Sequence, residues 1–232
     1  MANLEEKSKN IQVMFDEIAP KYDFLNRLLS FRRDVYWRRS AIKLMEISNN
    51  MKILDLACGT GDMILELKKH IQDVKVVGGD FSKNMLFIAR KKGIDDPLVG
   101  ADAHFLPFKN NSFDRIMIAF GFRNVVNKQK GLKEFHRILK PGGRLCILEF
   151  SHPEGIIFSK LYKIYFTKIL PLIGGIVSGN KKAYEYLPDS VYKFPVKSEY
   201  RKMILESGFS DVKFNPMTFG ICDATICYKN EV

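Results

Sequence analysis

The residues best placed to do chemistry lie in a short glycine turn that follows an apolar, strand-like segment. The segment Ile53-Leu-Asp-Leu-Ala leads into Cys-Gly-Thr-Gly, so that Gly59 and Gly61 flank Thr60. Glycine has no Cβ and adopts positive φ without steric cost, so backbone amides can approach a bound molecule closely. Asp55, within the strand, can accept hydrogen bonds from a cationic or amine-bearing ligand. The turn therefore predicts a site for a nucleotide-like ligand.

The position three residues after Gly61 decides between two classes of ligand. A dinucleotide site requires G-x-G-x-x-G, and here the last glycine is replaced by Ile64. Asp80 ends the strand-like segment Val74–Gly79 and could hold both hydroxyls of a ribose. S-adenosylmethionine contains adenine, ribose and a charged amino acid but no phosphate. We therefore expect S-adenosylmethionine rather than a dinucleotide.

The elements that must position these residues alternate between strand and helix along the chain. Strands are predicted at Ile53–Leu56, Val74–Val77, Pro97–Ala101, Phe113–Phe120, Arg144–Phe150, Val212–Phe219 and Asp223–Tyr228. Helices are predicted at Asp62–His70, Ser82–Lys92, Asn127–Lys140 and Glu199–Gly208. Such alternation predicts a mostly parallel sheet with helices on both faces and ligand sites at the carboxyl ends of the strands.

Two segments fall outside this alternating core, although we expect one domain over residues 1–232. Residues 1–48 form a predicted N-terminal helical region that is basic and rich in aromatic side chains. Residues 151–197 form a predicted helical insertion, in which the apolar segment Phe158–Val177 has flanking lysines and is typical of a cover over a binding site.

Composition narrows the class of protein. A hydrophobic content of 46% is ample for a core, and the net charge of +11 indicates an anionic partner, either nucleic acid or a lipid surface. The four cysteines and four histidines show none of the spacings typical of zinc sites, so no metal is expected. The longest stretch with almost no polar side chains, Ile169–Gly179, is short for a membrane span. We therefore expect a cytoplasmic protein, or one attached to the inner face of the cell membrane.

Several longer segments resemble one family of methyltransferases. They are Tyr22-Asp-Phe-Leu-Asn-Arg-Leu-Leu-Ser30 with Trp37, Leu54–Asp62, Ala103–Phe108, Phe120-Gly-Phe-Arg-Asn-Val125, Arg137–Ser151, and Tyr184-Glu-Tyr-Leu-Pro-Asp-Ser190 followed by Phe194-Pro195. In this order they are similar to the signatures of the quinone C-methyltransferases of ubiquinone and menaquinone biosynthesis, the UbiE/MenG family. Three positions depart from the family pattern: Asp34 replaces a usual histidine, Leu25 a usual methionine, and Ala119 a serine found in some relatives.

The resemblance implies a Rossmann-like class I methyltransferase fold with a seven-stranded sheet, and transfer of a methyl group from S-adenosylmethionine to a ring carbon of a polyprenylated quinol. The substrate would be demethylmenaquinol, the corresponding benzoquinol of the ubiquinone pathway, or both. The sulfonium is already activated, so positioning supplies most of the catalysis.

The resemblance places the catalytic residues in the segment Gly121–Asn124. Arg123 and Asn124 would polarise the substrate hydroxyl and hold the oxyanion, since arginine is too basic to accept the proton itself. Phe122, Tyr22 and Tyr186 are expected beside the substrate ring. The alternatives are that Arg123 pairs with a core carboxylate and that the tyrosines are packing residues. His152 is a further candidate for the proton acceptor or a surface residue.

The remaining candidates concern the cofactor. Asp55, Thr60 and the amides of the turn are expected at the methionine part, Asp80 at the ribose, and Asp102 with Ala103 at the adenine, near Ala119. Asp102 could equally be a turn residue at a strand end. Met85 and Leu86 could pack on adenine or belong to the core.

The charge and the apolar segments also predict binding partners and leave alternative functions open. A polyprenyl tail must enter from a membrane, so we expect the basic charge and the segment Phe158–Val177 to contact a lipid surface; a homodimer interface is the alternative. Two other functions remain open: an RNA methyltransferase of the same fold, suggested by the charge of +11, and a membrane-associated protein that binds S-adenosylmethionine without catalysis.

Overall fold

A computed structural model describes residues 2–151, 153 and 156–231, so that His152 and the side chain of Phe158 lie outside the description. The strands are β1 (Lys52–Leu56), β2 (Lys75–Asp80), β3 (Leu98–Gly100), β4 (Phe113–Ala119), β5 (Leu139–Phe150), β6 (Asp211–Met217) and β7 (Cys222–Tyr228). The helices are α1 (Ala2–Ile18), α2 (Tyr22–Leu29), α3 (Arg33–Leu44), α4 (Asp62–His70), α5 (Lys83–Lys91), α6 (Lys128–Ile138), α7 (Ile156–Ile164), α8 (Leu170–Ser178), α9 (Lys181–Tyr192) and α10 (Lys197–Glu206).

Within the described chain the strands form one seven-stranded sheet in the order β3-β2-β1-β4-β5-β7-β6. The first five strands run parallel, and β7 pairs antiparallel with both β5 and β6. This confirms the predicted mostly parallel sheet. The strand order reverses between β1 and β4, which is the point where open α/β sheets bind their ligands.

Helices cover both faces of the sheet because successive strand residues point to opposite sides. On one face Ile53, Met117 and Ile226 pack against α3, α4 and α5. On the other face Leu54 and Ile116 pack against α6 and α10. Two buried layers of apolar side chains therefore hold the carboxyl ends of the parallel strands at a common edge.

The glycine turn after β1 is built as the sequence predicts. Gly59 and Gly61 both have positive φ, of 54° and 83°. Gly61 caps the N-terminus of α4 and packs so closely on Ile94 that a Cβ would lie 1.8 Å from its Cδ1 atom. A Cβ on Gly59 would meet nothing within 4 Å. Gly61 is therefore required for helix packing, whereas Gly59 leaves open space toward the ligand edge.

The prediction for the region around Pro141 was wrong in its boundaries. Helix α6 ends at Ile138, and β5 begins at Leu139 instead of Arg144. Leu139 already pairs with Phe113 of β4, and the register then shifts before Arg115 pairs with Arg144. The shift accommodates Pro141, which has no N–H to donate to the ladder.

The segments outside the alternating core pack against each other. Helices α1 and α2, with a 3₁₀ turn at Ala19–Lys21, share an apolar cluster with α8, with α9 and with the π-helical turn Tyr165–Ile169 that precedes α8. Leu25 and Phe166 are fully buried in this cluster. We call the segment from α7 to α9 the cover. It is separate from the two layers that enclose the sheet.

The cover contains a longer apolar helix than we expected from the sequence. Ser159–Ser178 runs for 20 residues through α7, the π turn and α8, and by length and composition alone it is long enough to cross a membrane. Core helices of soluble proteins can meet the same criterion. About 22% of its most apolar 18-residue window is buried in the protein.

The two glycines of the turn offer a matched pair of substitutions. Gly61→Ala is expected to lower the free energy of unfolding by about 3 kcal/mol, because it combines a left-handed residue with a clash against buried Ile94. Gly59→Ala adds only the backbone strain and is expected to cost about 1 kcal/mol. Urea titration measures both values. Equal losses for the two variants would contradict the packing role of Gly61.

Candidate active site

The first cavity opens at the carboxyl ends of the parallel strands, where β1 and β4 part. Its volume is about 130 Å³. Its lining includes the predicted cofactor residues Gly59, Asp80, Asp102, Ala103 and Ala119. The cavity therefore lies at the reversal of strand order, as this fold class predicts.

Asp80 ends β2 as a buried carboxylate held by two backbone amides. Its Oδ2 atom accepts a hydrogen bond from the Gly59 amide at 2.7 Å, and its Oδ1 atom accepts one from the Ser82 amide at 2.8 Å. Burial raises the pKa of Asp80 to about 6, although hydrogen bonds from backbone amides oppose the rise. Each carboxylate oxygen can accept more than one hydrogen bond, so Asp80 can still bind hydroxyl groups.

Asp102 lies beyond β3 and is fixed by its own turn. Its Oδ1 atom accepts a hydrogen bond from the His104 amide at 2.9 Å and lies 2.6 Å from the Nδ1 atom of His104. The hydrogen bond from His104 lowers the pKa of Asp102. His104 Nε2 accepts from the Asn127 amide at 3.0 Å, which assigns the ring proton to Nδ1. Asp102 is therefore both a turn residue and part of the cavity wall.

Three predicted cofactor residues, Asp55, Thr60 and Gly61, do not form the wall of the first cavity. The Thr60 hydroxyl donates to Asp23 of α2 and lies 3.3 Å from the Lys92 ammonium, which donates to it. We expected the Thr60 hydroxyl to contact the methionine part of the cofactor, but in the structure it bonds to Asp23 and Lys92 instead. From the turn, Gly59 lines the cavity.

Asp55 is buried near this turn without a hydrogen-bond partner. It is 1% exposed, and neither carboxylate oxygen is bonded. Burial raises the pKa of Asp55 well above its usual range, and Arg38 opposes the rise. Nearby Asp80 and Asp62 raise it further. An unsatisfied carboxyl among other carboxylates favours a cationic ligand, and this fits the sulfonium and ammonium groups of S-adenosylmethionine.

Helix α1 closes the first cavity, a role that the sequence analysis missed. Ser8, Ile11, Gln12 and Phe15 line the cavity from one face of this helix. Gln12 Nε2 donates to the Phe81 carbonyl at 3.1 Å, which ties α1 to the turn after β2. Their spacing of three and four residues places them on one face of the helix, but it carries no information about what that face covers.

The second cavity lies between α2, α3, the cover and the end of β4, and its volume is about 440 Å³. Most of its wall is aromatic or aliphatic and includes Trp37, Phe150, Tyr162 and Phe166. Polar and charged side chains also reach the wall, and they include Arg33, Asp34, Arg38, Arg123 and Tyr186. Such a cavity suits a ligand that is largely apolar and has few polar groups.

The two cavities meet at Phe15, Tyr22 and Phe120, which line both. Phe120 has a left-handed φ of 57° at the end of β4, and its ring contacts those of Trp37 and Phe150. Burial raises the pKa of the Tyr22 hydroxyl. A group bound in the first cavity and a group bound in the second can therefore face each other across these rings.

Arg123 pairs with a core carboxylate, which is the alternative that the sequence left open, and it also reaches the second cavity. Its Nη1 atom donates to Glu149 Oε1 at 2.7 Å and to the Phe120 carbonyl, and its backbone amide donates to Glu149 Oε2 at 3.1 Å. Its Nε atom is buried and has no hydrogen-bond partner. Arg123 is thus paired with a core carboxylate and also lines the second cavity, with a donor to spare.

Asn124 follows Arg123 and lines the first cavity, whereas Tyr186 lines the second. The Tyr186 hydroxyl donates to Asn124 Oδ1 at 3.0 Å, so this hydrogen bond connects the cover to the turn after β4. Burial raises the pKa of Tyr186, and the charge of Arg123 opposes the rise.

Phe122 does not lie where we expected it. Its side chain is fully buried between α6 and α10, with its ring near those of Phe135, Phe194 and Tyr200. The residues Phe122–Asn124 form a 3₁₀ turn, in which successive side chains point about 120° apart. The turn therefore directs Phe122 into the core and Arg123 toward the second cavity. Phe122 packs behind the site and lines neither cavity.

A network of ion pairs links the N-terminal helices to the glycine turn and α4. Asp34 accepts hydrogen bonds from Arg27 and from Arg38, the latter at 2.7 Å. Asp62 accepts from Arg27 at 2.7 Å and from Lys92 at 2.7 Å. Although burial opposes it, the neighbouring cations lower the pKa of Asp62. Asp34, which departs from the family pattern, is thus an acceptor for two arginines.

Within the described residues, no group of three or more His, Cys, Asp or Glu side chains converges as metal ligands would.

Comparison with known sequences identifies one family over nearly the whole chain. The model of the ubiE/COQ5 methyltransferase family matches residues 2–229. The Ubiquinone/menaquinone biosynthesis C-methyltransferase UbiE of Geobacter sulfurreducens is 46% identical over 228 residues, which cover 95% of this chain and 89% of that protein. The Demethylmenaquinone methyltransferase of Thermus thermophilus is 48% identical over 212 residues, which cover 90% of this chain and 96% of that protein.

Comparison with solved structures identifies the same fold in more distant proteins. A methyltransferase in complex with the Trm112 methyltransferase activator of Haloferax volcanii superposes with a TM-score of 0.68 at 18% identity, covering 93% of this chain and 97% of that chain. Phosphoethanolamine N-methyltransferase 2 of Haemonchus contortus, in complex with S-adenosyl-L-methionine, has a TM-score of 0.60 at 17% identity and covers 83% of this chain and 52% of that chain. The fold is that of the Rossmann-like S-adenosylmethionine-dependent methyltransferases.

The raised pKa of Asp80 predicts a pH-dependent affinity for S-adenosylhomocysteine, the demethylated form of the expected cofactor. Ribose hydroxyls donate to the ionised carboxylate, which is lost as pH falls through about 6. Affinity measured by calorimetry is therefore expected to be about tenfold weaker at pH 5 than at pH 7.

The Asp80→Asn variant is the test of this assignment, and Asp102→Asn is its control. Asp80→Asn should bind more weakly than the wild type at pH 7 and should lose the dependence on pH near 6. The pKa of Asp102 is lowered by His104, so Asp102→Asn should retain that dependence. A wild-type affinity that is constant from pH 5 to pH 7 would exclude Asp80 as the ribose acceptor.

Proposed function

The chain belongs to the ubiE/COQ5 methyltransferase family, and we propose that it transfers a methyl group from S-adenosylmethionine to a ring carbon of a polyprenylated quinol in respiratory quinone biosynthesis. The substrate is demethylmenaquinol, the corresponding benzoquinol, or both. The observation that carries this proposal is the meeting of two cavities at Tyr22 and Phe120. One cavity has the ribose acceptor Asp80, and the other has an aromatic wall with a buried arginine.

In this proposal the first cavity holds the methyl donor, which supplies an activated methyl group on its sulfonium. Asp80 accepts from the ribose hydroxyls, and Gly59 leaves room for close approach of the backbone. Asp102, Ala103 and Ala119 lie along the adenine. Asp55, Thr60 and Gly61 act from behind the wall, through the buried carboxyl group of Asp55 and the packing of the turn.

The second cavity holds the quinol, with its ring toward Tyr22 and Tyr186 and its prenyl tail along the apolar wall. A ring carbon becomes nucleophilic when the adjacent hydroxyl loses its proton. Arg123 lines the second cavity and Asn124 lines the first. The unbonded Nε of Arg123 can donate to the substrate oxygen that becomes negative. Burial strengthens this interaction because the surroundings have a low dielectric constant.

The rival functions are less well supported by the walls of the second cavity. RNA carries phosphates and polar bases, whereas this cavity is lined mostly by aromatic and aliphatic side chains. A protein that binds the cofactor without catalysis would not require a buried arginine at the junction with a second cavity. Quinol methylation accounts for both the apolar wall and the buried arginine.

Substitution of Arg123 tests the proposal directly. With labelled S-adenosylmethionine and reduced demethylmenaquinol, Arg123→Ala is expected to lower kcat by at least about a hundredfold, because the oxyanion loses its cationic donor. Affinity for S-adenosylhomocysteine should stay within about threefold, since Arg123 does not line the first cavity. Arg123→Lys should be intermediate because it keeps the charge without the planar fork.

Arg137→Ala is the matched control, because Arg137 also pairs with a glutamate, Glu134 at 2.8 Å, but lines neither cavity. Its activity should remain within about twofold of the wild type. Incubation with a lipid extract and cellular RNA identifies the acceptor. Label in RNA or protein instead of the quinol fraction would overturn the proposed function.

We propose further that the enzyme works in the cytoplasm at the inner face of the membrane, with the cover and the turn after α2 against the lipid. Phe31 and Leu161 line the second cavity and are also 77% and 62% exposed. Leu172 and Ile176 extend the exposed apolar surface along α8. Lys160, Lys163 and Lys168 are exposed on the same helical segment. Apolar side chains at the mouth of the cavity, with lysines beside them, suit an anionic bilayer surface.

Flotation with vesicles that contain anionic lipid tests this orientation. The double variant Leu172→Ser and Ile176→Ser should reduce binding at least about tenfold, because it removes two apolar side chains from the lipid. Phe87→Ser is the control, since Phe87 is 59% exposed on α5 and lines neither cavity. High salt should release the wild-type protein.

Other outcomes of this experiment are informative. Retention on the vesicles in alkaline carbonate would indicate that the helix Ser159–Ser178 crosses the bilayer. Unchanged flotation of the double variant, together with its loss of a dimer in solution, would indicate a homodimer interface instead of a lipid surface.

A further inference from the structure

Two buried charged side chains of α3 have no part in the function proposed above. Asp34 and Arg38 line the second cavity, although they are only 3% and 6% exposed. They form an ion pair, with 2.7 Å between Asp34 Oδ2 and Arg38 Nη1. Desolvation of a buried ion pair is costly, and in the wall of a largely apolar cavity such a pair is available to a polar group of a ligand.

Both members of this ion pair keep hydrogen-bonding capacity. Asp34 Oδ2 accepts from Arg27 and Arg38, whereas Oδ1 accepts from the Ser30 hydroxyl at 2.9 Å and can accept a further hydrogen bond. Arg38 donates to Asp34 through Nη1. Within the described residues its Nε and Nη2 atoms make no hydrogen bond, and Nη2 lies 3.9 Å from Asp62 Oδ2. The pair therefore offers an acceptor and a donor side by side.

Arg38 and Arg123 lie beside neighbouring rings of one aromatic wall. The Arg38 guanidinium lies 5.4 Å from the centre of the Phe120 ring, and the Arg123 guanidinium lies 5.7 Å from the centre of the Phe150 ring. The centres of these two rings are 4.9 Å apart. Burial raises the pKa of the Tyr22 hydroxyl, and the charges of both arginines oppose the rise. Two guanidinium groups therefore act on the region where the two cavities meet.

A quinol has two hydroxyl groups, on opposite sides of its ring. In the proposed reaction Arg123 holds the oxygen next to the carbon that is methylated, so the opposite hydroxyl must be bound by other groups. A hydroxyl both donates and accepts, and it therefore matches a carboxylate that has a guanidinium beside it. In the oxidised quinone the same oxygen is a carbonyl, which only accepts and would face the Asp34 carboxylate without a hydrogen between them.

We propose that Asp34 and Arg38 are specificity-determining residues that bind the second hydroxyl of the quinol and thereby select the reduced substrate over the quinone. The Asp34 carboxylate accepts from this hydroxyl, and Arg38 donates to its oxygen. Only the quinol has a nucleophilic ring carbon, so exclusion of the quinone keeps an unreactive molecule out of the cavity. This inference rests on the proposed quinol methylation.

The fluorescence of Trp37 provides the first test, because Trp37 is the single tryptophan of the chain and lines the second cavity. Enzyme saturated with S-adenosylhomocysteine, which has no methyl group to transfer, is titrated with a short-chain demethylmenaquinone, either oxidised or reduced with borohydride under nitrogen. We expect the quinol to bind about a hundredfold more tightly than the quinone, since a site that hydrogen-bonds a hydroxyl rejects an analogue without one.

Asp34→Asn tests the carboxylate, and Asp62→Asn is its matched control. The new amide can donate to a carbonyl, so the preference of Asp34→Asn for the quinol should fall to about tenfold or less. Asp62 also accepts from Arg27, at 2.7 Å, but lines neither cavity, so Asp62→Asn should keep the wild-type preference. An equal fall in both variants would assign the effect to the ion-pair network and contradict the inference.

The second test concerns the donor. Arg38→Lys should raise KM for the quinol about tenfold and keep kcat within about threefold, because the negative charge of the reaction develops on the other hydroxyl. Arg39→Lys is the matched control, since Arg39 follows on the same helix and pairs with Glu66 at 2.8 Å but lines neither cavity. It should behave as the wild type. This pair decides the question if Asp34→Asn fails to fold.

The inference is overturned if the wild type binds quinone and quinol with equal affinity, or if Arg38→Lys lowers kcat and leaves KM unchanged. A wild-type enzyme that methylates no quinol would overturn the proposed function instead. The two failures are therefore distinct.

Discussion

The parting of β1 and β4 is the constraint on which the rest of the site depends. Both strands end in residues other than glycine with left-handed φ, Ala57 at 50° and Phe120 at 57°. Each such residue costs about 1 to 2 kcal/mol, so neighbouring contacts must stabilise it. The Phe120 amide donates to the Leu148 carbonyl at 2.7 Å, and its own carbonyl accepts from Arg123. Arg123 thus holds the strained turn that forms part of the wall of each cavity, which places its guanidinium beside the junction as a consequence of the fold.

The buried carboxyl groups around the glycine turn favour a positively charged ligand. Burial raises the pKa of both Asp55 and Asp80, so that ionising them is unfavourable in the protein alone. A cationic methyl donor relieves this cost, and its demethylated product, which has lost the sulfonium charge, relieves it less. The carboxylates therefore favour the donor over the product. Asp62 differs because Arg38 and Lys92 neutralise it, and its role is to anchor α2 and α3 to the turn.

Local patterns in the sequence were sufficient to predict the helices and strands of the core and the edge of the sheet at which the first cavity opens. Gly59 and Asp80 could be placed because a turn residue and a strand end depend on their immediate neighbours. The expected position of Phe122 beside the substrate ring does not match the structure, because a 3₁₀ turn of three residues directs its side chain into the core. No periodicity in the sequence reveals so short a turn. The hydroxyl of Thr60 was assigned to the cofactor because its partner Asp23, on another helix, is distant in sequence. The closure of the first cavity by α1 is likewise a tertiary contact, which an amphipathic pattern predicts only as a buried face.

The separation of the cover from the two core layers explains how one chain combines a water-soluble cofactor with an apolar substrate. The first cavity is enclosed by the sheet edge and α1, whereas the second is enclosed by the cover, whose apolar cluster shares Phe150 with the sheet. Movement of the cover could therefore admit a long apolar molecule without disturbing the layers that hold Asp80. Tyr22 belongs to both enclosures, and the hydrogen bond from Tyr186 to Asn124 joins the wall of the second to the wall of the first. In the proposed reaction, two bound reactants would exclude water from this junction and so strengthen the interaction of Arg123 with the substrate oxygen.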